Sequence, residues 1–87
     1  MKLSKQKRDK IAEQILSFLF HNFPHSYFTA EIAREIARDE EFIKALMFDL
    51  KDKNFVIDIK KNPSGSLYSR RIKWRISNKA YEAYQKA

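Results

Sequence analysis

TAEIAREIARDEEFIKALMFDLKDKNFV, residues 29–56, reads as two amphipathic helices joined by a turn of three or four residues. Thr29 is placed to cap the first, its hydroxyl accepting from an orphan amide of the next turn, and Glu31 lies favourably toward the helix dipole. That helix is expected over 30–37, with Ile32, Ala33 and Ile36 on one face. Arg38 and Asp39 break it, and Asp39 caps a longer helix over 40–53. Phe42, Ile43, Leu46, Met47 and Leu50 give the longer helix its apolar face. Asn54, a residue that tolerates the left-handed conformation, suits the position just past its end.

Upstream, Ile11, Ile15 and Leu19, then Leu16, Phe20 and Phe23, recur at helical spacing and predict a helix over 5–23 behind a basic tail, 1–4. Their arc of about 200° on the helical wheel is wide enough for a helix covered on two sides. Pro24 stops it, and Ser26, Tyr27 and Phe28 follow as a short extended piece. Downstream, Phe55, Ile57 and Ile59 alternate with Val56, Asp58 and Lys60, while Ile72, Trp74 and Ile76 alternate with Arg71, Lys73 and Arg75. This period of two predicts a half-buried β-hairpin over 55–76. Pairing Ile59 with Ile72 sets Ile57 against Trp74 and Phe55 against Ile76, which turns every large apolar group inward. The outward face is then Lys60, Asp58 and Val56 against Arg71, Lys73 and Arg75, with Asp58 given a cationic neighbour across the strand. Gly65, the one glycine, falls beside Pro63 where the hairpin must turn. A short helix over 78–86 closes the chain, with Ala80, Tyr81 and Tyr84 on one side.

In this order of elements, and in the pattern Ile32, Ala33, Ile36, turn, Ile43, Leu46, Leu50, the chain resembles the winged helix-turn-helix family over nearly its whole length. The expected fold is α+β and mostly helical: a three-helix core with a helix-turn-helix, a two- to three-stranded β-hairpin wing and a short C-terminal helix, in a single domain over 1–87. Ala33 is similar to the small residue that lets the two helices approach in that family. Ala37 and Arg38 stand where a glycine and an apolar residue are common in bacterial repressors, and Asn54 replaces a frequent glycine; we read these as a tighter or more helical turn. The resemblance implies binding to double-stranded DNA, with the third helix in the major groove and the wing on phosphates or the adjacent minor groove.

The net charge of +7 is unevenly spread. Residues 1–10 hold five basic groups against Asp9, and residues 55–87 hold eight against Asp58 and Glu82, whereas acidic groups outnumber basic ones between them. Lys60, Lys61, Arg70, Arg71, Lys73 and Arg75 form a dense cationic hairpin and are ranked first as phosphate contacts, with Lys5 and Arg8 among the N-terminal cations as a second grip. On the third helix Lys44 and Lys51 attract phosphate. Glu40 and Glu41 either neutralise the helix dipole or, at Glu41, accept a hydrogen bond from a cytosine amino group while Lys44 contacts guanine or phosphate. Phe48 falls off the core face, so it packs beneath the wing or meets a partner. Its place is similar to that of an aromatic in the winged helices that bind left-handed nucleic acid, although Lys44 stands where that family has asparagine.

Other functions find little material here. Without cysteine there is no disulfide, thiolate nucleophile or cysteine-ligated zinc. His21 and His25 are four apart, but Pro24 ends the helix between them, and a single glycine supplies no phosphate-cradling loop. No cofactor, metal, small-molecule ligand or enzymatic activity is expected. The chain has no apolar run of about 20 residues and no signal-like start, so a cytoplasmic location is expected. Phe18, Phe20, Tyr81 and Tyr84 leave more aromatic surface than so small a core readily hides, which predicts a homodimer through the terminal helices. The working expectation is a DNA-binding transcriptional regulator; the alternative is a protein-interaction module that docks an acidic partner through the same hairpin.

Overall fold

Three helices begin on a side chain that satisfies an orphan amide. Ser4 Oγ accepts from the Lys7 N–H at 3.3 Å, Asp39 Oδ2 from Phe42 N–H at 3.2 Å, and Ser77 Oγ from Ala80 N–H at 3.0 Å. These open α1 (Lys5–His21), α3 (Glu40–Asp52) and α4 (Asn78–Lys86). The computed structural model describes residues 4–59 and 72–86. Between the helices lie β1 (Tyr27–Phe28), α2 (Thr29–Ile36), β2 (Val56–Ile59) and β3 (Lys73–Ile76). The fold is a mostly helical α+β arrangement with an antiparallel three-stranded sheet in the order β1-β3-β2.

The start of α2 departs from the expected cap. Thr29 lies inside the helix and Phe28 holds the cap position, its N–H donating to Glu31 Oε1 at 2.8 Å. Thr29 is buried, and its hydroxyl accepts from the Trp74 indole N–H at 2.8 Å. The reason lies in the indole: Trp74 is fully buried, and a buried N–H without an acceptor is costly.

The end of α2 also corrects an expectation. The turn is neither tighter nor more helical than a usual one. Ala37 adopts φ 61° and ψ 48°, the left-handed geometry a glycine would take, and Arg38 N–H reaches back to the Ala33 carbonyl at 3.0 Å. An L-residue there is disfavoured by about 1–2 kcal/mol, because Cβ crowds the neighbouring carbonyl. Asn54, at φ 65°, ends α3 in the same way and as expected, with Phe55 N–H bonded to the Leu50 carbonyl at 2.9 Å.

The core is built from Ile11, Ile15, Leu16 and Leu19 of α1, Ile32 and Ala33 of α2, and Ile43, Leu46, Met47 and Leu50 of α3. Val56, Trp74, Ile76 and Ala80 close it from the sheet and α4. α1 is covered on two sides, as its wide arc requires. Phe18 meets Tyr27 at 4.8 Å between ring centroids, Phe23 stacks on Tyr81 at 3.9 Å, and Phe20 lies 5.1 Å from Tyr81 and 5.5 Å from Tyr84. The aromatic side chains that suggested a dimer thus pack largely on one another within the chain.

The register of the wing strands differs from the expected one by a single residue. Val56 pairs with Ile76, Ile57 with Arg75, Asp58 with Trp74 and Ile59 with Lys73. A one-residue slip exchanges the two faces of a strand. Val56 is therefore buried, while Phe55 and Ile57 are 41% and 36% exposed. Two contacts from outside the hairpin hold this arrangement. Lys51 Nζ of α3 meets the half-buried Asp58 carboxylate at 3.1 Å, and Ser77 fixes the entry to β2 through its N–H to the Phe55 carbonyl and its hydroxyl to the Asn54 carbonyl, both at 2.9 Å. Asp58 thus has a cation from a helix beside it. Among the described residues no helix is long and apolar enough to cross a membrane.

Candidate nucleic-acid interface

Because Ile43, Leu46, Met47 and Leu50 commit one face of α3 to the core, Glu40, Glu41, Lys44 and Ala45 are left exposed on the other. Lys44 and Glu40 border a shallow depression with Glu31 and Arg34 of α2 and with Ile72 at the entry to β3. Beside it the Lys73 ammonium lies 4.9 Å from the centroid of the Phe28 ring, a cation–π distance. Phe48 packs edge-on against Trp74 at 5.3 Å, yet 38% of it stays exposed. The Phe48–Trp74 contact makes a seam between α3 and β3. Lys44, one turn before Phe48, lines the depression beside it, and Lys73, next to Trp74, lies over the Phe28 ring that also lines it. Trp74 fixes that seam, since its N–H ties β3 to the first turn of α2 through Thr29.

The remaining sequence-derived candidates are placed differently. Lys5 is exposed at the start of α1. Arg8 reaches the opposite flank of α3, where it hydrogen-bonds the Asp49 carboxylate and stands 5.9 Å above the Phe42 ring. Lys51 is paired with Asp58 and lies 6.0 Å from the Phe48 ring. Arg75 donates to the Ile76 carbonyl at 2.9 Å and to Asn78 Oδ1 at 3.2 Å, and faces the Phe23 ring at 5.8 Å. Lys60, Lys61, Arg70 and Arg71, with the hairpin tip at Pro63 and Gly65, lie outside the described residues.

These contacts change the electrostatic reading. Exposed ion pairs are worth about 0–1 kcal/mol, so a phosphate can compete for Arg8, whereas Lys51 is held by the half-buried Asp58 carboxylate; either exchange strands a carboxylate next to the incoming anion. Helix α3 itself carries Glu40, Glu41, Asp49 and Asp52 against Lys44 and Lys51. The outer surface of the helix is hence acidic except along the seam with β3. Arg34 is exposed at the rim of the depression beside Lys44, and nothing in its neighbourhood along the chain marks it as part of a site.

Two other groups define what the surface lacks. His21 donates from Nδ1 to the Ser17 carbonyl at 2.7 Å. Among the described residues no cluster of three or more His, Asp or Glu side chains could hold a metal ion. At the α1–α4 contact the Tyr84 hydroxyl donates to Glu13 Oε2 at 3.1 Å; burial first, then the charge and hydrogen bond of Glu13, raise its pKa above the ordinary tyrosine value.

No family model matches the sequence, and no curated protein sequence matches it. Solved structures do. A mutant of Lactococcus lactis ZitR in its apo form matches with a TM-score of 0.72 at 15% identity, over 93% of this chain and 56% of that one. Another structure of ZitR is described as that of a zinc-responsive MarR family member. A mutant of S. aureus MepR bound to an oligodeoxyribonucleotide matches with a TM-score of 0.64 at 20% identity, over 94% of this chain and 65% of that one. A mutant of E. coli MarR complexed with operator DNA matches with 0.61 at 15% identity, over 93% and 63%. The chain thus spans about half to two thirds of the length of the proteins it matches. Four helices around a small antiparallel sheet, superposable along nearly the whole chain, give this protein the winged-helix fold of MarR-type regulators.

Proposed function

We propose that the chain binds duplex DNA and acts as a transcriptional regulator, presenting the seam between α3 and β3 and the basic hairpin to the duplex. The observation that carries this reading is the fold, shared with chains solved on an oligodeoxyribonucleotide and on operator DNA. Lys44 and Lys73 supply phosphate contacts at the seam, Lys60, Lys61, Arg70 and Arg71 supply further ones, and Glu41 and Phe48 meet base edges. Arg75, Lys51, Arg8 and Lys5 make secondary contacts. Fluorescence anisotropy on a random duplex across a salt series tests the proposal. Log K should fall with log salt by about 0.9 per neutralised phosphate. No binding at low salt would overturn it.

A second reading, docking of an acidic protein partner, has one observation in its favour: Phe55 and Ile57 are exposed on the sheet face that also carries Arg75. Such a partner would add a negative heat-capacity change from apolar burial to the salt dependence of its charge contacts. A homodimer through α1 and α4 stays within the proposal, and it would set two wings on two half-sites about one DNA turn apart. Its contact would use the outer edges of Tyr81 and Tyr84, and a light-scattering mass twice the 10.4 kDa of the chain is the expected result.

A further inference from the structure

The cations that pair inside the chain leave another set without partners. Lys7 and Lys10 project from the first turns of α1 and Arg38 from the turn between α2 and α3; all are exposed, and they border one groove whose other lining residues are Ile11 and Gln14. No carboxylate lines this groove. None of the three side chains has a hydrogen bond or ion pair among the described residues, in contrast to Arg8 beside them. Asp9 and Glu13 border a neighbouring depression on the far side of Lys7 and Lys10, and neither pairs with them.

The groove also has a defined place relative to α3. Arg38 directly precedes Asp39, the N-cap of α3, and Arg8 holds the first turns of α1 against α3 through Asp49. The three cations therefore stand at the N-terminal end of α3 on its α1 side, whereas Lys44 and Lys73 stand on its β3 side. Three like charges around one groove repel one another, and an anion between them reverses that term.

We propose that this groove is a phosphate-binding site, in which Lys7, Lys10 and Arg38, with the Gln14 amide, take successive phosphates of the DNA strand that flanks α3. The inference rests on the DNA-binding reading above and adds a second clamp, across α3 from the seam. The floor offers only Ile11 and Gln14, so the contact is to the sugar-phosphate backbone and is independent of sequence.

The test compares two doubly substituted full-length chains on a random duplex by fluorescence anisotropy across a salt series. Lys10→Gln/Arg38→Gln should lower the magnitude of the salt slope by about 1.8, two phosphates at about 0.9 each. Lys79→Gln/Lys86→Gln removes the same charge from α4 and should keep the wild-type slope. An unchanged slope in the first variant, or an equal drop in both, overturns the inference. In either case Lys44→Gln/Lys73→Gln still lowering the slope keeps the DNA-binding reading intact. Absence of any duplex binding by the wild-type chain sinks both. All substituted positions except Lys73 are exposed, and thermal unfolding checks that each variant keeps its fold.

Discussion

At Ala37 the backbone carries a conformation that its side chain opposes, and it persists because the helices on either side fix the turn. Ala37→Gly removes the crowding at Cβ but adds unfolded-state entropy, so a net gain of about 0.5–1 kcal/mol is expected in urea unfolding, with no change in m. Tyr84 makes a second residue-level test. Its raised pKa means that the folded chain favours the neutral phenol, so its contribution is complete below the ordinary value of 10.0 and is lost as pH rises through the raised one. The stability difference between wild type and Tyr84→Phe should be flat from neutrality to pH 10.0 and shrink above it. Thermal melts in a pH series measure this directly.

At the scale of elements, the β2 register is the feature most worth testing. Val56→Ala removes two buried methyl groups and should cost about 2 kcal/mol, whereas Ile57→Thr, at an exposed position, should stay within about 0.5 kcal/mol. The reverse order would restore the pairing expected from the sequence. That pairing was a reasonable misreading, because the alternation of Phe55, Ile57 and Ile59 offers three large apolar groups against one valine. What decides the matter is not local: Lys51 comes from α3, and Ser77 follows β3. The helix ends were legible for the opposite reason, since Asp39 and Asn54 act within a turn of themselves. The site divides in the same way. The wheel placed Lys44 and Phe48 outward without help, but the engagement of Arg8 depends on Asp49, 41 residues away. Thr29 looks like a cap along the sequence because its partner, Trp74, is 45 residues distant.

Over the whole molecule, a net charge of +7 overstates the electrostatic grip on a polyanion, because part of it is spent on internal contacts. Removing one internal counter-charge makes this measurable. Asp49→Asn frees the Arg8 guanidinium, and the salt slope on random DNA should steepen by about 0.9 with little loss of stability. An unchanged slope would mean that Arg8 stays out of reach of the duplex. Two ion pairs among the described residues, Arg8 with Asp49 and Lys51 with Asp58, join α3 to its neighbours on either flank. On the proposed DNA-binding function they would also act as a brake on indiscriminate adhesion: each carboxylate would withhold a cation from nucleic acid, so that Asp49 and Asp58 would trade residence time on random sequence for freedom to search.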